Sequence, residues 1–203
     1  MSPESTLMRI HQAARKEFRE RGFHGASLRS IVKSLGMTTG AFYGYYKSKE
    51  DLFAALVEEH YRYLLDRFRQ AQEEFAHLPY ACQPEVLGDF SGACMFDMLH
   101  YAYDHLEDCQ LLLCCAEGTR FAGLVDEMVQ IETDATHNYF QVLEELGRPV
   151  PDIDLRLEHI LITGMFRTFF ELIIHAMPLN EAENYLREMR AFYTAGWMKI
   201  MGQ

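Results

Sequence analysis

Ser27-Leu28-Arg29-Ser30-Ile31-Val32-Lys33-Ser34-Leu35-Gly36-Met37-Thr38-Thr39-Gly40-Ala41-Phe42-Tyr43-Gly44-Tyr45 is the stretch on which the reading of the fold turns. Leu28, Ile31, Val32 and Leu35 fall at helical spacing behind Ser27, a residue type suited to an N-cap. Gly36 breaks this short stripe, because it can take the positive φ that side-chain-bearing residues resist. Thr38 can cap a further short helix that runs to about Tyr45. Two short helices joined by Leu35-Gly36-Met37-Thr38 form a helix-turn-helix pattern.

Leu7, Ile10, Ala14 and Phe18 make a preceding helix that Gly22 is placed to terminate. Ser48 caps a following helix with acids in its first turn, carrying Leu52, Phe53, Leu56, Val57, Tyr61, Leu64 and Phe68 until the break near Pro79. Further helices are expected at about 84–106, 108–117, 119–146, 153–176 and 180–201. Few segments alternate with period two, and no Asn-Gly or Asp-Gly hairpin turn occurs. The expected fold is all-α, about nine helices, with residues 1–47 as a helix-turn-helix domain and 48–203 as a second helical domain.

Charge is divided the same way. Residues 1–50 hold nine Lys/Arg against four acids, a net of +5, within a chain of net charge −11. A basic head on an acidic body suits a polyanion-binding module joined to a domain of another kind. At 203 residues and 49% hydrophobic content the chain can build its own core without disulfide or metal staples. Five cysteines at irregular spacing and a polar, acidic start point to a reducing cytoplasm. The most apolar stretch, Ile160 to Ile174, is interrupted by Arg167 and Glu171, so no membrane partner is expected. Around Cys109, Cys114 and Cys115 there is no C-x-x-C or H-x-x-x-H pair, and neither a metal nor another cofactor is expected.

The first fifty residues resemble the TetR family of bacterial regulators. The likeness lies in Ile10-His11-Gln12-Ala13-Ala14, Phe18, Glu20-Arg21-Gly22-Phe23 and Ser27-Leu28-Arg29-Ser30-Ile31, then in Leu35 to Tyr46 and in Lys47-Ser48-Lys49-Glu50-Asp51-Leu52. It implies a partner of double-stranded DNA, with the helix after Gly36 lying in the major groove. Thr38 and Thr39 would meet phosphate or base edges at the start of that helix. Tyr43 takes the family's aromatic contact position, and Tyr45, Tyr46 and Lys47 follow toward the backbone. Lys49 is placed for a phosphate. Ser27 is a phosphate contact or simply a cap, while Phe42 reads as core. Gly40 and Gly44 each weaken a short helix by about 0.5–1 kcal/mol and leave the reading surface bare. Few base contacts, close backbone approach at Gly40 and a share for DNA shape are expected.

The body reads as a dimerisation and effector-binding domain. Leu157, Ile160, Leu161, Gly164, Met165, Thr168, Phe169 and Leu172 form one stripe, and Ile162, Phe166, Phe170 and Ile174 make that helix apolar nearly all round. Tyr185, Leu186, Met189, Phe192, Tyr193, Gly196 and Trp197 match it on the last helix. The resemblance implies a four-helix interface in a twofold homodimer, presenting two reading helices to half-sites about one DNA turn apart. It also implies a small-molecule effector enclosed by helices four to eight, for which Phe90, Cys94, Met98, Tyr101, Phe166 and Phe170 are the candidate lining, with His100, Glu117 and His137 as candidate polar contacts. Binding there would shift the fourth helix, in a repressor released by its ligand. The rival class, an all-α enzyme or carrier, finds no nucleophile–base pair or Gly-rich phosphate loop in support.

Overall fold

A computed structural model describes residues 3–200, apart from the side chains of residue 3 and of residues 88–91. Among the described residues there are nine helices and no strand: α1 (Pro3–Gly25), α2 (Leu28–Ser34), α3 (Thr39–Tyr43), α4 (Lys49–Ala76), α5 (Gln83–Asp104), α6 (Leu106–Cys115), α7 (Leu124–Glu145), α8 (Leu155–Ile174) and α9 (Leu179–Ile200). The chain folds as two compact units. One comprises residues up to Tyr63 with His105–Gly123; the other comprises Leu64–Asp104 with the residues from Leu124 on. Packing thus groups α6 with the head, a pairing that the linear division at 47/48 does not contain.

In the first unit Ile10, Ala14 and Phe18 of α1 are fully buried, with Ile31, Phe42, Leu52 and Phe53 closing the same core. Phe18 and Phe53 meet edge to face at 4.9 Å, a geometry that aromatic quadrupoles favour. Gly22 breaks α1 at φ 65°, ψ 172°, and Gly36 turns the chain between α2 and α3 at φ 65°. Thr38 caps α3 by accepting from the Ala41 N–H at 3.2 Å, and Ser48 caps α4 through the Asp51 N–H at 3.0 Å.

α1 also packs along α6, where Arg15 grips Asp108 with two hydrogen bonds of 2.6 Å each. Asp108 lies in the first turn of α6, where an acid also suits the helix dipole. Burial alone would raise its carboxyl. Hydrogen bonds from Arg15 and His60 outweigh that and bring it to about 2.

The second unit is built from the end of α4 with α5, α7, α8 and α9. Ile162, Phe166, Phe169, Phe170 and Ile173 are buried, with Phe68 set edge to face on Phe166 at 5.1 Å. Tyr103 ties the end of α8 by donating to Leu172 O at 3.2 Å and Met177 O at 2.6 Å. α7 begins at Leu124, later than the expected 119. There Thr119 Oγ1 donates to Ala116 O and accepts from the Phe121 N–H, a local turn that competes with the helix.

Candidate nucleic-acid interface and cavity

The reading face is built by what α3 hides and what it shows. Phe42 turns inward and is buried, so Thr39, Gly40 and Tyr43 turn outward and are exposed. Tyr43 keeps 53% of its area and Tyr45 39%, so both rings are open to a partner. Neither glycine of this helix needs its conformational freedom. Gly44 has φ −71°, and a Cβ on Gly40 would meet nothing within 4 Å. Gly40 therefore presents bare backbone to the outside.

The expected contacts divide into three groups. Thr39, Gly40, Tyr43, Tyr45, Lys47 and the capping Thr38 are exposed. Ser27 is exposed too, at the cap position of α2 but with no capping bond from its hydroxyl. The cap comes instead from Glu17, a buried acid that accepts from the Ser27 N–H at 3.1 Å and from Ser30 Oγ at 2.8 Å. Tyr46 is half-buried, its hydroxyl 2.6 Å from His11 Nε2. Burial, and Arg15 beside it, hold His11 below its ordinary value, and burial holds Tyr46 above its own. Both rings are thus neutral at neutral pH.

Lys49 differs most from expectation. Its Nζ turns inward and donates to Phe23 O at 2.7 Å, Ala26 O at 3.2 Å and His24 O at 3.3 Å.

The second unit encloses a cavity of about 160 Å³. Its apolar wall includes Phe75, Leu87, Met95, Met165, Met189 and Trp197; its polar groups include Gln72, Glu132, Thr136, Arg190 and Tyr193. Glu132 Oε2 accepts from Gln72 Nε2 at 2.8 Å, and burial raises the Glu132 carboxyl to about 7.

None of the expected lining residues that are described lies on this wall. Cys94, Met98, Phe166 and Phe170 are plain core. Tyr101 is half-buried away from the cavity, and the Phe90 side chain falls outside the described residues. His100 pairs with Glu183 and His137 with Glu158, while Glu117 is exposed. Helical spacing marks the inward face but not whether that face meets protein or empty space.

The expected subunit face is also redrawn. Met165, Phe169 and Leu172 are buried in their own chain and offer no surface. Trp197 and Met189 are half-buried and line the cavity. Ile160 at 63%, Phe192 at 73%, Leu157 and Tyr185 are exposed, beside Leu161, Gly164 and Gly196. Leu157, Ile160, Leu161 and Gly164, and likewise Tyr185, Phe192 and Gly196, each fall within one or two helical turns of the next, so they form one outward stripe on each helix.

A helix-turn-helix that holds its second helix clear of the protein, joined to a helical body with a cavity, defines a DNA-binding regulator. Residues 10–56 match the family described as "Bacterial regulatory proteins, tetR family". The chain is 38% identical over 202 residues to the HTH-type transcriptional regulator UidR of Escherichia coli (strain K12), covering 98% of this chain and 92% of that protein. In fold it is similar to a TetR-family regulator from Streptomyces coelicolor A3, with a TM-score of 0.60 at 15% identity, over 91% of this chain and 88% of that one. A tetR-family protein from Rhodococcus RHA1 gives 0.56 at 18%, over 94% and 97%. The chain belongs to the TetR family of transcriptional regulators.

Proposed function

We propose that the chain is a cytoplasmic, ligand-responsive repressor that binds a palindromic operator as a homodimer and leaves it when a small molecule fills the cavity. The observation that carries this reading is the course of α4. This one helix brings Gln72 and Phe75 to the cavity wall and begins at Lys49, beside the α1–α2 corner. A ligand that favours one attitude of α4 then biases the reading helices, which is linkage between two sites. Residues 1–47 serve as the reading domain and 48–203 as the effector and dimer domain, whichever unit α6 packs with.

Thr39, Tyr43, Tyr45 and Lys47, with Ser27, Thr38 and Tyr46 in support, contact the duplex. Gly40 lets backbone approach it closely. The exposed stripes of α8 and α9 supply the twofold interface through Leu157, Ile160, Leu161, Gly164, Tyr185, Phe192 and Gly196. The cavity's apolar wall with a few polar groups suits a small-molecule effector. Capture of genomic fragments on the purified protein, followed by release with a metabolite panel, tests the reading. Retained fragments that share an inverted repeat and are released by a metabolite are expected. Fragments of random sequence, or none, would defeat it.

A further inference from the structure

Lys49 opens α4, where a cation is unfavourable for that helix's own dipole. Its ammonium resolves this by turning to the end of α1. Three carbonyl oxygens meet it there, those of Phe23, His24 and Ala26, at 2.7, 3.3 and 3.2 Å. The Phe23 ring lies beneath it, 4.4 Å from Nζ to centroid, a cation–π placement. One of these carbonyls is left available by the local chain path. The Ser27 N–H, which a continuing helix would direct to Phe23 O, goes instead to Glu17 Oε1. An ammonium has three N–H donors, and three acceptors occupy this one.

Sequence position gives the contact its significance. The carbonyls come just before α2, and Lys49 comes just after α3. The bond that Lys49 Nζ donates to Ala26 O therefore ties together the two ends of the segment that holds the whole helix-turn-helix. We infer that Lys49 is a positioning residue for DNA binding: it closes the reading segment into a loop fixed to the start of α4, and its charge is spent on the protein's own carbonyls rather than on a phosphate. The inference rests on the DNA-binding reading of α3. A Tyr43→Ala control tests that reading separately, since it weakens operator binding only if α3 touches DNA.

Salt dependence distinguishes the two roles. Each phosphate contact contributes about −0.9 to the slope of log affinity against log salt. Operator affinity of the full chain is to be measured over a salt series for Lys49→Met, Lys49→Arg and Lys47→Met, with Tm and helical circular dichroism for each. Positioning predicts at least a tenfold loss for both Lys49 variants at every salt concentration, an unchanged slope and a lowered Tm. Lys49→Arg fails with Lys49→Met because a planar guanidinium cannot fill a nest built for a compact ammonium. Lys47→Met flattens the slope and leaves Tm unchanged. The inference is overturned if Lys49→Arg binds like wild type, or if Lys49→Met flattens the slope by about 0.9 per chain with Tm intact. Should Lys49→Met fail to fold, Lys49→Arg decides alone.

Discussion

Gly40 and Glu132 are single residues whose chemistry makes opposite demands on stability and function. Open space around Gly40 means that Gly40→Ala removes only a helix penalty, adding about 0.5–1 kcal/mol to stability. If backbone approaches DNA there, the same methyl group weakens operator binding. A thermal melt and an operator titration on one preparation check the split, and a variant that gains on both counts would remove Gly40 from the interface. Glu132 is raised by burial from its ordinary 4.5 to about 7. The folded state therefore holds a proton that the unfolded chain releases, so stability falls as pH rises from about 4.5 to 7 and then levels. Glu132→Gln abolishes that slope and is more stable than wild type at pH 8 by up to about 3 kcal/mol. Urea denaturation at pH 5 and pH 8 measures it; parallel losses in the two proteins would contradict the assignment.

At the scale of helices, the contact of α1 with α6 rests on Arg15 and Asp108. The Asp108 carboxyl lies below its unfolded value, so its contribution is present above about pH 4 and fades as pH falls toward 2. Asp108→Asn should cost about 2 kcal/mol at neutral pH, where Arg15 loses its carboxylate partner. An equal cost for the variant at pH 2 and pH 7 would show that the charge is not responsible. The sequence makes some of these elements legible and hides others. Caps at Thr38 and Ser48 and the turns at Gly22 and Gly36 follow from local chemistry and could be read directly. The Arg15–Asp108 pair spans 93 positions, and nothing local announces it. Glu17 did leave a signal, an acid on the same helical face as Ile10, Ala14 and Phe18. The cavity left none, because Met165 and Trp197 look like any other core or interface residue until the packing is seen.

On the whole molecule, the proposed twofold interface lies on the exposed stripes of α8 and α9. Ile160 and Phe192 face outward, so Ile160→Arg with Phe192→Arg should cost the isolated chain little, within about 0.5 kcal/mol per site. Sedimentation of the two proteins checks the proposed interface: a dimeric wild type and a monomeric double variant are expected. Operator affinity should collapse with the dimer, because two linked readers gain from effective concentration what one cannot. A double variant that remains dimeric would place the interface elsewhere.

Whether α3 brings the basic head onto duplex DNA is tested by an anisotropy titration of a captured genomic fragment between about 50 and 200 mM salt. Steep loss of affinity with salt is predicted for wild type, with weaker binding throughout for Tyr43→Ala. Affinity that is flat with salt, or unchanged by Tyr43→Ala, would contradict it.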